Sequence, residues 1–141
     1  MTTFAAEPLS MVLAREIDRF VSASVRMKGA SLYRNRRASV RYHRSCPIFV
    51  AQLADDLVED VRATLHDVSS DGIGFYCDSR FSVDAILGVK LFWTDIGAPR
   101  VPVCVRHQRA TSDGILIGAQ FVTDDSKVCR LIERCPTAWY G

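Results

Sequence analysis

Two hydrophobic periods divide the chain. Between residues 9 and 27, Leu9, Leu13, Ile17, Phe20 and Val21 recur on one helical face while Arg15, Arg19, Ser22 and Arg26 fall on the other, the pattern of an amphipathic helix. Pro8 suits the first turn, where a missing N–H costs nothing, and Gly29 lies just past the far end. Such a stripe has to be covered, either by the rest of the chain or by a second copy in a homodimer.

From residue 46 the period becomes alternating, with turn residues at short intervals. Strands are expected at 46–53, 59–68, 72–78, 85–94, 101–111 and 114–122. Asp55-Asp56, Asp95-Ile96-Gly97 and Ser112-Asp113-Gly114 supply turns between them. Short antiparallel strands in this density predict a small closed barrel or sandwich, which removes exposed sheet edges. A last helix is expected after Asp124 or Asp125, with Val128, Leu131, Ile132 and Cys135 on one face and Pro136 as its stop. The chain thus reads as a helical extension at 1–31 and one mainly β domain at 32–141.

At 141 residues, 48% apolar and 24% charged, the chain can bury a core without cross-links. No run approaches the roughly 18 to 20 apolar residues of a membrane span, and the N-terminus lacks the basic start and apolar block of a signal peptide, so a cytoplasmic location is expected. The five cysteines, Cys46, Cys77, Cys104, Cys129 and Cys135, contain no CxxC pair and read as reduced thiols. The three histidines, His43, His66 and His107, are dispersed, and neither a metal nor a cofactor is expected from them.

Charge changes the picture more. The net charge of +2 hides a segment from Lys28 to Arg44 with six basic residues (Lys28, Arg34, Arg36, Arg37, Arg41 and Arg44) and no acidic one. Within it, Arg36 precedes the run Arg37-Ala-Ser-Val-Arg41. A second cluster, Asp67-Val-Ser69-Ser-Asp-Gly72, occupies the turn between the second and third expected strands. The planar donor fork of arginine matches two phosphate oxygens or the O6 and N7 of guanine. Asp67 offers the complement, because a carboxylate accepts from paired donors such as the N1–H and N2–H₂ of guanine, which adenine lacks on that edge. Ser69 adds a hydroxyl, and Gly72 permits close backbone approach or a positive φ. Together these groups point to a phosphorylated guanine compound.

RxxxR followed by (D/N)xSxxG, in this order and in an all-β setting, resembles the PilZ family, bacterial receptors for the second messenger cyclic di-GMP. Ile117-Gly118-Ala119-Gln120-Phe121 is similar to the closing-strand GxxF pattern of that family, and the expected terminal helix has the family's position. The likeness covers residues 32–135 and leaves the helix at 9–27 outside the common core. It implies a six-stranded antiparallel β-barrel with a C-terminal α-helix, and a ligand site made of Arg36, Arg37, Arg41, Asp67, Ser69 and Gly72. Arg36 stands where many family members carry an extra arginine, which tends to accompany two intercalated ligand molecules per site. Arg34 and Arg109 are secondary candidates. Arg34, like Arg44, reads first as solvated, and Arg109 as a surface residue within reach of a guanine face.

Two function classes follow. The first is a non-enzymatic receptor that binds cyclic di-GMP, orders a basic arm at 34–44 that is mobile without ligand, and thereby regulates a downstream protein. The second is a small nucleic-acid-binding barrel that sets the same arginines against a phosphate backbone. Tyr33 and Tyr42 are the only aromatics in the arm, thin support for base stacking. Catalysis is the weakest class, since no nucleophile, oxyanion loop or paired carboxylates accompany the histidines at interpretable spacing.

Overall fold

The computed structural model describes residues 9–26, 31–33, 41–52, 60–92, 94–95 and 98–122. Helix α1 runs over Leu9–Arg26. Seven strands follow: β1 (Ser31–Tyr33), β2 (Arg41–Gln52), β3 (Val61–Val68), β4 (Gly72–Cys77), β5 (Ile86–Lys90), β6 (Val101–Thr111) and β7 (Gly114–Phe121). Every pairing is antiparallel, in the order β1-β2-β3-β4-β7-β6-β5, and β2 pairs a second time, with β5, through Phe49–Gln52. From β2 to β5 the order therefore returns on itself, and six strands have a neighbour on each side.

Alternation selects the buried face. Ile48 and Val50, Ala63 and Leu65, Ile73 and Phe75, Leu87 and Val89, Val101 and Val103, and Ile117 and Ala119 all point into one core. Pro47 is tolerated because β5 reaches β2 only from Phe49 onward, so no ladder bond is lost on that side. Each expected strand is present, with β2 starting earlier, at Arg41, and β5 ending earlier, at Lys90. β1 was not expected. It pairs Tyr33 with Arg41 and Leu32 with Tyr42. The helix expected after Asp124 lies outside the described residues.

The stripe of α1 is covered by the chain's own sheet. Leu13, Ile17 and Phe20 are buried, and Ile17 and Phe20 belong to the strands' core. Arg44, expected to be solvated, is instead part of the dock. Its guanidinium carbon lies 4.3 Å from the centre of the Phe20 ring, and its Nη1 donates to the buried Ser24 hydroxyl at 2.8 Å. Phe20 meets Phe92 edge to face at 5.1 Å, and Arg19 caps Phe92 at 4.0 Å. Alternating cations and rings thus fasten the helix to β2 and to the chain beyond β5. No helix among the described residues is long and apolar enough to cross a membrane.

Three bulges break the ladders at one level. β2 has an extra residue between His43 and Cys46 relative to β3, β3 has one between Leu65 and Asp67 relative to β4, and β6 has one between Val105 and His107 relative to β7. In β3 the consequence is direct. Leu65 and Val68 both stay buried, so His66 and Asp67 share the outer face instead of alternating across the sheet.

Candidate functional site

The bulge in β3 presents Asp67 to the start of β2, where His43 is its register partner. Arg41 Nη1 donates to Asp67 Oδ1 at 2.9 Å, with the two side chains only 12% and 14% exposed. His66 Nδ1 lies 3.0 Å from Asp67 Oδ2. Arg41 Nε is buried with no hydrogen-bond partner among the described residues. The second arginine of RxxxR and the aspartate of DxSxxG thus form one ion pair, with guanidinium donors and carboxylate acceptors side by side.

The rest of the second motif builds the turn that follows. The Ser69 hydroxyl is buried and accepts from the backbone N–H of Asp71 at 3.1 Å and of Gly72 at 3.2 Å, while Ser69 N–H donates to the Gly72 carbonyl at 2.9 Å. Phe121 N–H then donates to the Asp71 carbonyl at 2.8 Å and ties the turn to β7. Gly72 does not take a positive φ; a side chain there would run into the Ala119 carbonyl of β7. Ser69 and Gly72 therefore hold the turn in place, and Ser69 spends its hydroxyl within it.

A profile of the PilZ domain matches residues 35–136. The chain belongs to the PilZ domain family. No curated protein sequence is significantly similar to it. Among solved structures, it is similar to MrkH of K. pneumonia in complex with c-di-GMP, at 16% identity and a TM-score of 0.49, over 74% of this chain and 51% of that one. This PilZ chain therefore spans about half the length of MrkH.

Beside the Arg41–Asp67 pair, the PilZ fold gathers residues that sequence spacing left scattered. The rings of His43 and His66 meet edge to face at 4.7 Å, and His66 meets Tyr76 of β4 at 5.4 Å. Gly74 and Gly118 are register partners on the same outer face. A side chain at Gly74 would lie 2.9 Å from Asp67 Oδ1, and one at Gly118 would meet the His107 ring. Gly118, the glycine of GxxF, thus leaves room for His107, and Gly74 leaves room for the Asp67 carboxylate. The signal available in the sequence was the pair of glycines within otherwise apolar strands, which marks close approach of another group.

Arg109 is exposed on β6, two positions beyond His107. Arg34, Arg36 and Arg37 lie outside the described residues. Arg41 to Arg44, expected in a mobile arm, belong to β2, and Tyr42 packs partly buried against the core. Cys46, Cys77 and Cys104 are free thiols; burial pushes the Cys46 thiol above its ordinary range, with Arg44 pulling the other way.

Proposed function

We propose that this PilZ chain is a non-enzymatic receptor for cyclic di-GMP, built as a closed β-barrel whose ligand site lies where Arg41 meets Asp67. The observation that carries the reading is the 2.9 Å pairing of these two side chains, one from each motif. Guanine presents donors that a carboxylate accepts and acceptors that a guanidinium fork matches, so a site holding both groups reads guanine from two edges. Arg36 and Arg37 lie between Tyr33 and Arg41, which are register partners. Arg41, at one end of that connection, pairs with Asp67, and Tyr33, at the other, pairs with Arg41, so the reading gives Arg36 and Arg37 the phosphates of a ligand bound there. Ser69 and Gly72 contribute by holding the turn that follows Asp67.

Output follows from β2. Arg41, at its start, faces the ligand site, and Arg44 grips Phe20 and Ser24 of α1. Ligand that draws Arg41 away from Asp67 shifts the strand end that carries Arg44, and so re-seats α1 for a downstream protein. A ligand moves this equilibrium only by its differential affinity for the two arrangements.

Calorimetric titration with cyclic di-GMP, with GMP and cyclic di-AMP as controls, tests the reading. Micromolar or tighter binding, about −8 kcal/mol, is expected for cyclic di-GMP alone. Equal binding of cyclic di-AMP removes the guanine assignment.

A further inference from the structure

Asp67 is held at both oxygens. Arg41 takes Oδ1, and His66 Nδ1 lies 3.0 Å from Oδ2. A carboxylate only accepts, so Nδ1 carries the hydrogen and donates, leaving Nε2 as the nitrogen that gains or loses a proton. Sequence neighbours in a regular strand point to opposite faces; only the bulge between Leu65 and Asp67 lets them meet. Among the described residues, His66 is faced by the His43 ring from β2, by the Tyr76 ring from β4 and by Asp67 on its own strand, with Arg41 one contact away through Asp67.

We propose that His66 is a positioning residue for guanine recognition, which fixes the plane of the Asp67 carboxylate when neutral and competes for it when protonated. The proposal rests on the cyclic di-GMP reading above. Neutral His66 gives one ordinary hydrogen bond to Oδ2 and leaves the carboxylate charge for the N1–H and N2–H₂ of guanine. An imidazolium gives a charge-assisted bond, roughly twice as strong, to the same oxygen. A guanine then meets a carboxylate whose charge is more fully taken up by the imidazolium, so the fold links proton uptake at His66 to loss of ligand. Neither guanine nor the phosphodiesters of the ligand titrate between weakly acidic and weakly basic pH, which leaves the protein to set any slope there.

The experiment is titration of the full chain with cyclic di-GMP across histidine's range, for the parent, His66→Asn and His43→Gln. Asparagine places an N–H where Nδ1 sits, able to reach Oδ2, but does not titrate. The parent should bind roughly fivefold more weakly at about pH 5.5 than at about pH 8. His66→Asn should bind within about twofold of the parent at about pH 8 and show a flat profile, since the positioning contact survives and the proton does not. His43→Gln should keep the parent's slope. A flat or rising parent profile on acidification, a slope that survives in His66→Asn, or one lost in His43→Gln overturns the assignment to His66 while leaving the receptor reading intact. A parent that fails to bind at every pH overturns both.

Discussion

Arg41 and Asp67 are each other's partners, 2.9 Å apart and largely buried, although 26 positions separate them along the chain. The ion pair at the candidate site is therefore also part of the pairing between β2 and β3. On the proposed reading, a ligand entering here exchanges an existing contact for its own, and the same substitutions bear on stability and on binding.

Arg41→Ala and Asp67→Ala should each lower unfolding free energy by about 1–3 kcal/mol, because each leaves a partly buried charge without its partner. The double variant should lose less than the sum by about 0.5 kcal/mol or more. Each single variant should also weaken cyclic di-GMP by about 1–3 kcal/mol. Denaturant melts and titrations on the same samples check both. Parent-like binding by both variants moves the site elsewhere.

The glycines separate packing from recognition. Gly72→Ala drives a methyl into the backbone carbonyl of Ala119 and should destabilise by about 1–3 kcal/mol. At Gly74 the neighbour is the Asp67 carboxylate, 2.9 Å from an added Cβ, and a side chain can swing aside. Gly74→Ala should therefore destabilise less than Gly72→Ala, by at most what the Arg41–Asp67 contact contributes, yet bind cyclic di-GMP at least about fivefold more weakly, the carboxylate having left its position. Thermal melts paired with calorimetry distinguish the two outcomes.

Three neighbouring arginines, Arg36, Arg37 and Arg41, can neutralise more phosphate than two. Two ligand molecules per chain are expected for the parent and one for Arg36→Leu, read as calorimetric stoichiometry. A parent that binds one ligand rules this out.

Coupling to α1 predicts that Arg44→Ala loosens the helix. Losing the cation over Phe20 and the donor to Ser24 should raise amide exchange across 13–24 and cost about 1–2 kcal/mol. Ligand should change exchange in α1 of the parent and not in Arg44→Ala. An identical ligand response in both proteins would place the signal outside this contact.

Much of this protein was decided locally. The three-and-four spacing of Leu13, Ile17 and Phe20 specified α1, and period-two alternation specified six strands, because burial of one face is a local property of side-chain order. RxxxR and DxSxxG were legible for the same reason, as fixed offsets within short segments. What the sequence did not determine depends on counts compared between strands distant in sequence. β1 is too short at Ser31–Tyr33 to show a period, and it exists because β2 offers it partners. The bulge that turns both His66 and Asp67 outward is one residue of β3 with no counterpart in β4, a difference that neither strand carries alone. That mismatch sets Asp67 against Arg41 and His66. The approach of Phe20 to a strand more than twenty residues further along turned Arg44 from a solvated charge into the clasp of the helix. Which residues flank a site is fixed where strands meet, and pairing across the sheet is decided only when the chain has closed on itself.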